Sequence, residues 1–104
     1  MNKSVVLHID TSDMDTAKVA VVVGGERFEK TSQSRLLRSQ MVLPLIETLL
    51  HEHTLKLSDV TAIMVMAGPG SFTGLRVGVA IANTLGSLLG VSVNGKRAIV
   101  TPVY

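Results

Sequence analysis

The spacing of apolar positions changes character along the chain, and each change predicts an element. Ser4 to Ile9 is a short run rich in Val, Leu and Ile, closed by the polar cluster Asp10-Thr11-Ser12-Asp13. Such a run bounded by turn residues reads as a strand. Ala17 to Val23 is a second apolar run. In Glu26 to Ser32, Arg27, Glu29 and Thr31 alternate with Phe28 and Lys30, the period-two pattern of a third strand. The pair Gly24-Gly25 between the last two runs is a two-residue hairpin signal. The chain therefore opens as an antiparallel meander.

From Ser34 to His53 the period becomes helical. Leu37, Met41, Leu45 and Leu49 fall four apart, and Leu36, Leu43, Ile46 and Leu50 fill the adjoining face. Pro44 inside this stretch predicts a kink or marks the helix's true start. Leu57-Ser58-Asp59 reads as a loop, and Val60 to Met66 as a buried central strand. Ala67 to Gly74 is a glycine-rich connection into a second helix, Leu75 to Leu89, which Gly90 ends. Val91 to Val93 is a further strand. Asn94-Gly95 is a hairpin signal, with Ala98 to Val100 as a return strand. The order is β-β-β-α-β-α-β, an α/β chain with a mixed sheet. With no repeat or linker, residues 1–104 read as one domain.

Composition narrows the function classes. The chain is 46% hydrophobic and 17% charged, with few aromatics, so a surface buried against a partner is expected. The net charge is +2 and the basic residues are scattered. A protein that grips nucleic acid directly shows a basic stripe, often with stacking aromatics, so direct binding of nucleic acid is not expected. There is no cysteine, which excludes disulfides and thiolate metal sites. The longest apolar stretch, Leu75 to Val91, is interrupted by Arg76 and Asn83 and is a poor membrane span. A cytoplasmic protein is expected.

Several residues are candidates for chemistry or binding. The glycines at 68, 70 and 74, with Ser71 and Thr73, could cradle an anion at a helix N-terminus, without the Lys-Ser/Thr ending of a P-loop. Equally, they form a tight strand-to-helix connection capped by Ser71 or Thr73. Phe72 and Arg76 could dock a partner. Gly74, Gly78, Ala82, Gly86 and Gly90 recur every four residues, a small-residue ridge on one side of the second helix. Interior glycines lower helix stability by about 1 kcal/mol each, so close approach to something must compensate. That neighbour is the chain's own sheet or a partner helix, with Leu75, Val79, Leu85 and Leu89 flanking. Leu36, Met41, Val42 and Leu45 are surplus apolar positions on the first helix and serve as core or as partner surface. His51 and His53 are two apart, about 200° around a helix, and cannot face one ion together. No metal ligand set, cofactor site or catalytic constellation is expected.

The string Gly68-Pro69-Gly70-Ser71-Phe72-Thr73-Gly74-Leu75-Arg76-Val77-Gly78, preceded by a strand and by Asp10-Thr11-Ser12, resembles the TsaB (YeaZ) family. The likeness covers roughly residues 4 to 93 and includes the Leu-Pro-Leu-Ile core of the first helix. It implies a ribonuclease-H-like lobe of the actin-like ATPase superfamily. It also implies a non-catalytic scaffold for a TsaD-like enzyme that places threonylcarbamoyl on a tRNA adenosine. The partners implied are a TsaD-like protein, docked through the two helices, and a TsaE-like ATPase, with a homodimer through the same face when alone. In that superfamily Asp10, Thr11 and Ser12 would lie at a phosphate and Mg²⁺ loop. Their other reading is a polar turn that satisfies its own backbone. TsaD-like enzymes carry a His-x-x-x-His helix motif that this chain lacks. The family pattern continues into a second lobe, so a short, single-lobe member is expected. The competing functions are a minimal nucleotide-binding or phosphotransfer protein and a homodimeric module for another partner.

Overall fold

The computed structural model describes residues 4–13, 15–33, 38–97 and 99–103, apart from the side chains at 38, 39 and 72. Strands β1 (Val5–Asp10), β2 (Thr16–Val23) and β3 (Glu26–Gln33) precede helix α1 (Arg38–Glu52). Strand β4 (Ala62–Val65), helix α2 (Phe72–Leu89) and strand β5 (Ser92–Val93) follow. This is the order that the apolar spacing predicts, with Leu57–Asp59 tightened into a single 3-10 turn.

The five strands form one sheet in the order β3-β2-β1-β4-β5. The first two pairings are antiparallel and the last two parallel. At the β2–β3 turn Gly24 (φ 58°) and Gly25 (φ 83°) both take the left-handed conformation. A two-residue turn of that kind matches the twist of its strands.

Alternation along β1 decides which side of the sheet is covered. Val5, Leu7 and Ile9 are buried, as are Ala17, Val19 and Val21 of β2. They join Val42, Ile46, Leu49 and Leu50 of α1, and Val79, Ala82 and Leu85 of α2, in one core. The helices touch each other on that side, with α1 over β2 and β3 and α2 over β1, β4 and β5. The opposite face carries Val6, His8 and Asp10, with Met64 at 42% and Met66 at 44% exposure.

Of the two readings of Pro44, the structure excludes one: it lies inside α1 and does not mark its start. The bond it cannot make would go to the carbonyl of Gln40, and both residues are exposed, where water can serve instead. The Asn94-Gly95 turn does form, bridging Val93 to Lys96, but no return strand develops. Ala98 lies outside the described residues. Val100 is drawn away toward α2, where the Asn83 amide takes both of its backbone groups, at 3.0 and 2.8 Å. Asn94 does the same for Val65 of β4, at 2.8 and 3.0 Å.

Candidate functional site

The end of β1 and the start of α2 are tied together by one threonine. Thr11 is 1% exposed. Its hydroxyl donates to the Gly74 carbonyl at 2.5 Å and accepts from the Gly78 N–H at 2.9 Å. In an α-helix those two groups are ordinarily each other's partners. Thr11 bridges them, and can do so because residue 78 has no side chain. A Cβ at Gly78 would overlap the Thr11 hydroxyl and crowd Ile9.

The neighbouring polar groups are likewise engaged with the chain itself. One oxygen of the Asp10 carboxylate accepts from the Ser12 N–H at 2.9 Å and the Ser12 hydroxyl at 2.6 Å. The Ser12 carbonyl accepts from the Ser71 N–H at 3.0 Å, and Gly70 lies so close that a Cβ would press on Ser12. The Ser71 hydroxyl accepts from the Gly74 N–H at 3.2 Å and so caps α2, while Thr73 lies exposed in the first turn. At Gly68 (φ 141°) a Cβ would run into the carbonyl of Val103, whose N–H donates to Ala67 at 2.6 Å. Thus Asp10, Thr11, Ser12, Gly68, Gly70 and Ser71 converge on one joint between β1, β4 and α2. Its polar atoms mostly answer one another, as in the polar-turn reading.

The small-residue ridge of α2 faces inward. Gly78 meets Thr11 and Ile9 of β1, and a Cβ on Gly86 would meet Val93 of β5. Ala82 and Leu75 are 0% exposed, Val79 3% and Leu45 7%. This corrects the reading that puts Leu45, Leu75, Gly78, Val79 and Ala82 on an outward partner face. The sheet beneath is the close neighbour that the glycines require. Met41 is half-buried and Arg76 exposed. Leu36 and the Phe72 side chain lie outside the described residues.

A different set of side chains forms the outward helical face. Leu43 of α1 and Ala80, Ile81, Thr84 and Leu85 of α2 line a shallow groove of about 210 Å³ between the helices. All five are uncharged. Leu43 is 39% exposed, and Leu88, one turn beyond Thr84, is 72% exposed. Reading the sequence for glycines misses Ala80, Thr84 and Leu88. Their signal is an i, i+4, i+8 stripe two residues after each member of the ridge, about 200° around the helix.

The histidines are dispersed. His53 stacks on Phe28 with ring centroids 3.9 Å apart, and His51 is exposed. His8 sits on the open face of the sheet, where burial and then the Arg27 charge hold its pKa below the usual value. Among the described residues no three His, Asp or Glu side chains are grouped to hold a metal. Among them, too, no helix is long and apolar enough to cross a membrane.

Residues 32–95 match the family model described as TsaD: tRNA N6-adenosine threonylcarbamoyltransferase. The tRNA threonylcarbamoyladenosine biosynthesis protein TsaB of Haemophilus influenzae is 35% identical over 85 residues, covering 82% of this chain and 36% of the relative. The TsaB of Buchnera aphidicola is 30% identical over 91 residues, with 88% and 43% covered. The solved structure of YeaZ from Pseudomonas aeruginosa superposes with a TM-score of 0.81 at 33% identity, covering 86% of this chain and 42% of that one. The chain thus spans less than half the length of these relatives.

Proposed function

Since the chain belongs to the TsaB (YeaZ) family, we propose that it acts in tRNA threonylcarbamoyladenosine biosynthesis as a non-catalytic scaffold for a TsaD-like protein. The observation that carries this reading is the uncharged groove between α1 and α2, continued by Leu88 at 72% exposure. A groove lined by aliphatic side chains and flanked by an exposed leucine accepts the apolar face of another protein's helices. The choice of a TsaD-like partner is supported by the match of residues 32–95, which include both helices that line the groove, to the TsaD family model.

The joint at Thr11 supports a structural role for the glycine loop. One oxygen of the Asp10 carboxylate is held by Ser12, and Ser71 caps the helix. The loop sets the position of α2, and α2 sets the groove. Catalysis resides in the partner, and tRNA is contacted through it. A TsaE-like ATPase would join the assembly through the partner. In the partner's absence the same groove takes a second copy.

Size-exclusion chromatography with light scattering tests this, using the chain mixed with the TsaD-like protein of the same genome. A one-to-one complex is expected, lost on Ile81→Glu or Leu88→Glu. A chain that ignores that protein in every mixture overturns the proposal. ATP turnover by the chain alone, abolished by Asp10→Ala, would put the phosphotransfer reading in its place.

A further inference from the structure

The outer strand β3 presents a long free edge, and its sequence is self-complementary when read in reverse. Residues 26–30 are Glu-Arg-Phe-Glu-Lys. Laid antiparallel on a second copy with Phe28 opposite Phe28, Arg27 stands across from Glu29 and Glu26 across from Lys30, on both sides of the centre. Apart from the central phenylalanine pair, every opposed pair joins opposite charges. Slipping the register by two residues one way sets Arg27 against its own copy. Slipping it two the other way sets Glu29 against its own copy. A one-residue slip turns the helix-bearing face of one sheet toward the open face of the other. One register alone satisfies charge and face together.

The fold keeps this edge available. Among the described residues, in the order β3-β2-β1-β4-β5, the strand has a partner on one side only, along the whole of Thr16–Val23. Glu26, Arg27 and Glu29 are exposed, and Phe28 and Lys30 half-buried. The two faces are already sorted. Phe28 and Lys30 lie on the helix side, against His53 and Glu52. Arg27 and Glu29 lie on the open side, 2.8 Å apart and each 45% exposed. Two copies would close those four charges into an alternating ring. Charges on an edge strand ordinarily keep edges apart. Their order here does so in the neighbouring registers and not in the one centred on Phe28.

We propose that β3 is a self-association edge, through which two copies of this chain pair antiparallel about a two-fold axis at Phe28 and join their sheets. The groove between α1 and α2 stays free in such a dimer. The overlap is short, so the contact belongs among weak, concentration-dependent interfaces.

The test uses the full chain carrying Leu88→Glu, which silences association through the helices. Sedimentation equilibrium should show a monomer–dimer equilibrium. Arg27→Glu should weaken it by about tenfold or more, because two attractive cross-strand pairs become repulsive. The exchange Arg27→Glu with Glu29→Arg should restore it. Since the chain has no cysteine, a single introduced one reports the register. Phe28→Cys lies opposite itself within disulfide reach and should cross-link under mild oxidation, whereas Thr31→Cys should not. A chain that stays monomeric up to about 1 mM overturns the proposal. So does a dimer indifferent to Arg27→Glu, or cross-linking by Thr31→Cys in place of Phe28→Cys.

Discussion

The two sides of α2 use different residues for different kinds of contact. On the inner side Gly74, Gly78, Ala82 and Gly86 bring the helix backbone close enough for Thr11 to reach into it and for Val93 to pack beneath it. On the outer side Ala80, Thr84 and Leu88 present side chains to solvent, with Leu88 72% exposed. A glycine ridge suits close approach of a neighbour that is already in place. An aliphatic stripe of moderate size suits a neighbour that arrives later, because its area is buried only on binding. In this lobe small residues mark the chain's own sheet, and the candidate partner surface lies half a turn away.

That comparison can be broken most sharply at Gly78. Gly78→Leu forces a side chain onto Thr11 and Ile9 and should destabilise the fold by about 3 kcal/mol or more, read by urea denaturation. Ala80→Leu, on the outer side of the same helix, should stay within about 0.5 kcal/mol of the parent. Comparable losses at both positions would mean that the inner side is not special. Next in size is Leu88→Glu. It should leave the urea midpoint unchanged while weakening the complex with a TsaD-like protein by about 30-fold, near 2 kcal/mol, measured by titration calorimetry.

Thr11→Val sharpens the inner half of the comparison. It removes the hydroxyl that bridges Gly74 and Gly78 but keeps the shape, and should lower stability by about 1–2 kcal/mol. Thr11→Ser should recover most of that loss. The smallest effect concerns pH. The pKa of His8 is lowered in the folded chain by burial and by Arg27, so between the folded and unfolded values the unfolded chain binds more protons. Its contribution is fully present above the usual histidine value of 6.5 and fades as pH falls from there through the lower folded value. In His8→Gln the urea midpoint should fall less steeply over that window than in the parent.

Most of the scaffold could be read from the sequence because its signals are local. Gly24-Gly25 declares the β2–β3 turn, Gly90 the end of α2, and the alternation in β1 its buried face. What stayed hidden depends on distant neighbours. The ridge on α2 fits a partner helix as well as a sheet until Thr11, 63 residues before Gly74, is seen bonded to it. Nothing near Val100 says that Asn83, 17 residues earlier, will hold its backbone and cancel the return strand. For the same reason Leu45, Leu75 and Val79 read as candidate surface though they are core, while nothing local marks Leu88 as exposed.

The Asn94 clasp on Val65 has a consequence for growth. At the β5 end the sheet is stoppered: β5 is two residues long, and beyond it a side-chain amide occupies the backbone of β4 in place of another strand. Among the described residues the β3 end is open along eight residues. A sheet that is sealed at one end and sticky at the other cannot add copies indefinitely. Pairing through β3 uses up the open end of both molecules at once, so assembly by that route terminates at two.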